Sequence, residues 1–274
     1  MNRREAICGV VAVICLFPLL VIFFIPAAQV EGIVRRSFAR QGYTFTSGRF
    51  GTAFPYGIIA GDVTIADSRG PLLRLDRLTL HPAFLPLMTG NLALSADALV
   101  GAGTITVQWR SGQKGGISAD ISGLPLDQVP FFRTVVDATV AGRLWGEARL
   151  SGVPPRMSGV IKIRITGGGC SGLKIGELPL PAVSDETIQG MLRVKDGRGR
   201  VESLTFEGNS LYARLSGDIP LSVSAPLDLS LELMPKADFL EKQKLVFLLL
   251  VRYLDSPGHY RLPVRGTLAK PSVF

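Results

Sequence analysis

Apolar and polar residues alternate one for one through segment after segment of this chain, and a period of two permits little besides β-sheet. In residues 140–150 the even positions Val140, Gly142, Leu144, Gly146, Ala148 and Leu150 are small or aliphatic. The odd positions include Arg143, Trp145, Glu147 and Arg149. Ile161, Ile163 and Ile165 alternate with Lys162, Arg164 and Thr166. The same pattern runs through Leu211/Ala213/Leu215, through the odd positions from Ala225 to Leu233, and through Tyr260/Leu262/Val264. Shorter stretches are Val63/Ile65, Leu92/Leu94, Ile105/Val107/Trp109 and Ile117/Ala119/Ile121. Turn-forming residues fall between them: Ser111-Gly112 through Gly115-Gly116, Asp196-Gly197-Arg198-Gly199, Gly208-Asn209 and Gly217-Asp218. Short connections make successive strands antiparallel neighbours, so the pattern predicts a meander. Its aliphatic face must be covered by curling, by pairing with itself or by holding something.

One stretch breaks the pattern. No charge occurs from Ala6 to Val30, a run of 25 residues. As a helix rising about 1.5 Å per residue it would cross the ~30 Å hydrocarbon layer, and a membrane helix tolerates a proline such as Pro18. The run exceeds the roughly 7–15 apolar residues of a secretory signal, and Pro26-Ala27-Ala28 is a poor cleavage site. The expectation is an uncleaved single-pass transmembrane anchor, with Ala6, Val13, Phe17, Leu20, Phe23 and Ile25 in the membrane. Arg3 and Arg4 precede the run, and Arg35, Arg36 and Arg40 follow it, so the charge count does not select an orientation. Arg35, Arg36 and Arg40 are candidate contacts for anionic lipid headgroups.

The expected fold is therefore mostly β. An N-terminal transmembrane helix leads to a curved antiparallel sheet or half-barrel with one long C-terminal helix. Three regions follow: an anchor over 1–30, a juxtamembrane helix and connector over 31–46, and a β-rich domain over 47–274. The juxtamembrane helix is expected over Val30–Gln41, and single turns are expected within Pro82–Thr89 and Leu126–Phe132. The long helix is expected over Asp238–Leu254, started by the Asp238…Glu241 capping box and stopped by Pro257-Gly258. Its second half, Leu245 to Val251, is apolar all round, which predicts burial on every side, plugging the mouth of the sheet.

Chemical signatures are sparse. Gly167, Gly169 and Gly172 fit G-x-G-x-x-G, but the residues that follow, Leu173 to Pro179, do not make the phosphate-binding helix. Gly168-Gly169-Cys170-Ser171-Gly172 fits the spacing of a nucleophile elbow, yet the chain has two histidines, His81 and His259, each in a turn context. Cys8 and Cys15 lie in the apolar run, leaving Cys170 alone downstream, so no disulfide framework or zinc pattern is present. The formal net charge of +8 is spread over outward strand positions. Its densest group, Arg193, Lys195, Arg198 and Arg200, lacks interleaved aromatics for base stacking. No catalytic, cofactor or metal site is expected, nor a nucleic-acid partner.

The chain resembles the type II secretion system protein N family, in the form with one N-terminal anchor and a long β-rich domain. The matching elements are the uncharged run, then Gln41-Gly42-Tyr43-Thr44-Phe45, then Phe54-Pro55-Tyr56-Gly57-Ile58 leading to Asp62-Val63-Thr64-Ile65. At the other end they are residues 258–268, GHYRLPVRGTL, with Lys270-Pro271. The same opening and closing patterns resemble AsmA-type envelope proteins, although this chain is much shorter. Either resemblance implies the Gram-negative inner membrane, with the β domain in the periplasm. The secretion resemblance implies a non-enzymatic component that supports type II protein secretion by contact with other parts of the machine. The AsmA resemblance implies a lipid-binding or lipid-transfer groove, for which Ile105, Val107, Ile161 and Ile163 are candidate lining residues.

Overall fold

The alternating segments pair into one large antiparallel sheet. The structure, a computed structural model, describes residues 27–272 apart from 54–56, 84–90, 113–114, 136, 154–155, 173, 176–177, 180–181, 197, 210, 221–225, 243, 245–247, 249 and 268–269. Strands β1 (Thr44–Thr46) and β2 (Arg49–Ala53) share one edge of β3 (Gly57–Asp67). From there the chain runs back and forth through β4 (Gly70–Pro82), β5 (Ala93–Val100), β6 (Gly103–Arg110), β7 (Gly116–Pro125), β8 (Thr139–Ser151) and β9 (Ser158–Ser171). A small separate ribbon of β10 (Lys174–Ile175) and β11 (Leu178–Pro179) intervenes. The main sheet resumes at β12 (Val183–Lys195), which pairs with β9, and continues through β13 (Arg198–Glu207), β14 (Leu211–Pro220) and β15 (Asp228–Pro235). Strand β17 (His259–Thr267) pairs with β15 and with the short β16 (Leu254–Ser256) and β18 (Lys270–Ser272). Among the described residues the sheet is open, because the β1/β2 edge and the β16/β18 edge do not pair with each other. Strand twist accumulates across so many strands, and an open sheet of this width must coil.

Antiparallel alternation puts the connections on two rims. The β3–β4, β5–β6, β7–β8, β9–β12 and β13–β14 connections lie along one. The β2–β3, β4–β5, β6–β7, β8–β9, β12–β13 and β14–β15 connections lie along the other. The β3–β4 turn is held by Asp67, whose carboxylate accepts from the Arg69 and Gly70 amides at 2.8 and 3.2 Å and from the Arg69 guanidinium at 2.8 Å. Those bonds hold its carboxyl below the usual Asp value.

Buried side chains gather at the two ends of the sheet. At the first end Phe45, Ala60, Val63, Leu75, Ala98, Val100 and Leu124 form one cluster. Helix α1 (Ala27–Arg40) closes it by inserting Val34 and Phe38, and the Phe38 and Phe45 rings lie 5.5 Å apart. The β7–β8 connection, a 3-10 turn at Leu126–Gln128 followed by α2 (Phe131–Val135), adds Val129 to the same cluster. At the other end Leu250, Tyr260 and Leu262 form one cluster and Val201, Leu227 and Leu229 another, bridged by Val264. Helix α3 (Ala237–Lys242) packs Phe239 and Leu240 there.

Two parts of the expected fold are corrected. The anchor residues Ala6, Val13, Phe17, Leu20, Phe23 and Ile25 lie outside the described residues. Among the described residues no helix is long and apolar enough to cross a membrane, so the expected transmembrane helix has no support. The helix that takes up the end of the uncharged run is α1, and it carries Glu31, Arg35, Arg36 and Arg40. The long C-terminal helix expected over Asp238–Leu254 is not supported either. The helix described there is Ala237–Lys242, with Lys244 and Leu248 also helical and residues 243, 245–247 and 249 outside the described residues; Val251–Tyr253 is a 3-10 turn, and Leu254 already belongs to a strand. Pro257-Gly258 punctuates a hairpin rather than a helix end: Ser256 pairs with His259, and Gly258 takes φ +77°. Nor is the apolar run buried on every side. Leu250 turns inward, while Leu248 is 68% and Val251 53% exposed.

Candidate functional site

Apolar residues of successive strands meet in cross-strand rows that run the length of the sheet. One row is Ala60, Leu78, Ala98, Ile105, Ile121, Gly146, Ile163, Gly190, Leu204, Leu215, Leu231 and Leu262, each the direct partner of the next. At about 4.8 Å per strand this row extends roughly 50 Å. A parallel row two residues away contains Ala96, Val107, Ala119, Ala148, Ile161 and Leu192. A third contains Leu144, Ile165, Ile188 and Phe206. The result is one continuous aliphatic face.

The two ends of that face are covered by the buried clusters and by α1 and α3. Its middle, over β7, β8, β9 and β12, is not covered by any of these among the described residues. Ile121 and Leu144 still touch the edge of the first cluster and Leu192 the edge of another, whereas Ala148, Ile161, Ile163, Ile165 and Ile188 are half-buried and pack against none of them. Among the described residues no helix packs over Ile161 or Ile163. Among the described residues the face thus has packed ends and an apolar floor open between them, here termed the trough. Gly190 keeps that floor smooth: a Cβ there would lie 2.7 Å from Leu204 Cδ1 and 2.9 Å from Ile163 Cγ1, so its neighbours already fill the space.

The opposite face is polar. Asp97, Thr106 and Asp120 form one cross-strand row, and Arg164, Gln189, Thr205 and Arg214 form another. Ion pairs lie along it, Arg149 to Glu147 at 2.5 Å, Arg193 to Glu202 at 2.8 Å and Arg261 to Glu232 at 3.3 Å. The Arg149 hydrogen bond holds the Glu147 carboxyl below its ordinary value. Such exposed pairs add little stability, and their consequence is a face that stays in water.

Of the residues expected from sequence to line a groove, Ile105 and Val107 lie in β6, and Ile161 and Ile163 in β9, all on the aliphatic face. Ile105 is drawn into the edge of the first buried cluster, whereas Ile161 and Ile163 occupy the uncovered middle. Gly146, Ile165, Ile188, Gly190 and Leu192 complete the floor. The alternation in sequence names Gly146 and Ile165 on this face but not as groove residues, and it does not name Ile188, Gly190 or Leu192. The expected headgroup contacts sit on α1. Arg35 pairs with Glu31 at 2.6 Å, and Glu31 also accepts from the Ser47 hydroxyl at 3.0 Å, tying the helix to the sheet. Arg36 donates to the Gly32 carbonyl at 3.0 Å, and Arg40 is exposed.

Cys170 lies near the end of β9, paired on one side with Val140 and on the other with Val183. The glycine motif around it is strand, not a strand-to-helix turn. Burial pushes its thiol above the ordinary value, opposite to what a nucleophile needs. Alkylation of Cys170 by iodoacetamide near pH 8, followed by peptide mass mapping, should be several-fold slower than that of a free peptide thiol. Equal or faster alkylation would reopen the nucleophile reading. Among the described residues no group of three or more His, Cys, Asp or Glu is placed to hold a metal ion.

No protein-family model, no curated protein and no solved structure matches the chain.

Proposed function

We propose that this chain is a non-enzymatic component of the Gram-negative envelope whose trough holds the acyl chains of lipid. The observation that carries the reading is the uncovered middle of the aliphatic face. An exposed apolar surface of this extent is unfavourable in water and marks a binding surface. Each acyl methylene buried on it would contribute about 0.8 kcal/mol. Stopped ends and an open middle suit a flexible chain lying across the floor, with its polar group left at a rim.

The trough reading is tested by lipid analysis of the purified full-length protein. Wild type should carry phospholipid detectable by native mass spectrometry. Ile163→Arg should fold, because the Arg stem can lie along the floor while its head reaches water, and should lose most of that lipid. Lipid-free wild type, or an Ile163→Arg protein that keeps its lipid, would contradict the reading.

A second reading, support of type II protein secretion through contact with other secretion components, is favoured by the opening and closing motifs quoted above. The edge strand β16 suits it, since its three residues are all exposed and β17 is its one strand neighbour among the described residues. The two readings are compatible, as a lipid-holding protein can serve a secretion machine. A location at the inner membrane, with the β domain on the periplasmic side, belongs to the same proposal and rests on those motifs. Normal secretion by a deletion strain would remove the second reading and leave the first.

A further inference from the structure

The two rims of the trough differ in charge where its floor is uncovered. Along the rim of the β6–β7, β8–β9 and β12–β13 turns stand Arg110, Arg156, Lys195 and Arg198, all exposed, against the single acid Asp196. None of these four cations has an ion-pair partner among the described residues. The opposite rim, over the same strands, carries Asp127, Asp137 and Glu207, all exposed, against Arg133. Exposed hydrophobics stand among the cations: Val153 is 55%, Leu92 45% and Leu94 38% exposed. Beneath them Arg110 and Arg149 face a hollow with the hydroxyls of Ser118, Ser151 and Ser158.

The course of α1 points to the same rim. Its C-terminal end is fixed beside β1, where the Tyr43 amide donates to the Phe38 carbonyl at 3.0 Å, and Glu31 lies beside Ser47. The helix therefore runs antiparallel to β1 and β2. Strand β2 ends at the cationic rim, so the N-terminal end of α1, which continues the uncharged run, is directed toward it.

We infer that the rim bearing Arg110, Arg156, Lys195 and Arg198 is a docking surface for an anionic lipid bilayer. The cations meet the negative surface, and Val153, Leu92 and Leu94 enter the headgroup layer. The acidic rim is turned away by repulsion. Docking this way lays the uncovered floor beside the bilayer, so that a lipid reaches it sideways. This orientation goes beyond the trough reading and does not depend on the trough being filled.

The test uses the full-length protein and preformed vesicles of phosphatidylcholine, with or without phosphatidylglycerol. In one arm, flotation compares R110Q/R156Q/K195Q/R198Q with R77Q/R143Q/R164Q/R214Q, which removes as many charges elsewhere. The rim variant should lose roughly tenfold or more of its binding to the anionic vesicles, and the control much less, with wild-type binding weakening as salt rises. In the other arm, an environment-sensitive dye is placed at Val153→Cys or, on the opposite rim, at Phe131→Cys, the native cysteines being replaced by Ala. Only the dye at position 153 should shift to shorter wavelength on phosphatidylglycerol vesicles. Equal losses in the two neutralised proteins, binding indifferent to phosphatidylglycerol, or a shift at 131 instead of 153 would each overturn the inference. Lipid carried by the purified protein is read separately, so failure of the trough leaves this result standing, and the reverse.

Discussion

Leu229→Arg should abolish cooperative folding. Leu229 is 7% exposed and packs with Val201 and Leu227 in the cluster that closes the far end of the sheet. It pairs with Gly217 on β14 and Val264 on β17, so both of its flanks are occupied. The cluster around it is aliphatic and contains no acid to pair with an Arg, and burying an unpaired charge costs several kcal/mol. That is comparable with the whole stability of a domain, about 5–15 kcal/mol. The expected result is loss of the thermal transition and of sheet-type far-ultraviolet dichroism. A cooperative transition within a few degrees of wild type would show that the far end is open as well. The contrast with Ile163→Arg, expected to stay folded, is the sharpest consequence of a sheet whose ends are packed and whose middle is not.

Gly159→Ala should be the most damaging single methyl group in the trough. Gly159 pairs with Leu150 on β8 and Val194 on β12, so it is held from both sides. A Cβ at that position would sit 1.9 Å from the Arg149 carbonyl oxygen and 2.9 Å from Leu150 Cα. Both contacts are backbone, which no rotamer change relieves. The strands must separate there, at a cost of roughly 1–3 kcal/mol or more. For a chain of this size that lowers the melting temperature by about 2–12 °C. Gly51→Ala is the matched control, since a Cβ there meets nothing within 4 Å. Equal melting temperatures for the two variants would mean that β8 and β9 approach less closely than described.

Much of the sheet could be read from the sequence because a period of two is a local property. The register that aligns Ile105, Ile121, Gly146 and Ile163 follows once each strand turns its aliphatic parity the same way. What misled is physically specific. Gly217-Asp218 resembles a turn, yet it lies inside β14, where Gly217 takes φ +131° beside a register shift between β13 and β14. Pro257-Gly258 punctuates a hairpin as readily as it ends a helix. The run from Leu245 to Val251 carries no mark separating burial on all sides from partial exposure, because that depends on where β17 places Tyr260 and Leu262. The floor residue Gly190 was hidden for a different reason. Glycine carries no hydropathy signal, and its role appears only when the side chains of Ile163 and Leu204 are seen leaning over the gap. The difference between the rims was hidden too, since Arg110, Arg156 and Lys195 are far apart in sequence and meet only through the alternation of turns.

The central claim is that one face of the sheet holds lipid and the other faces water. Adjacent residues on β9 test it with a single substitution each, because Ile163 and Arg164 point to opposite faces. A photo-crosslinking benzoylphenylalanine is incorporated at position 163 or 164 of the full-length protein, irradiated in cells, and the purified product analysed for covalently attached lipid. The account predicts lipid adducts at 163 and none above background at 164. Adducts at neither position, or equally at both, would contradict it.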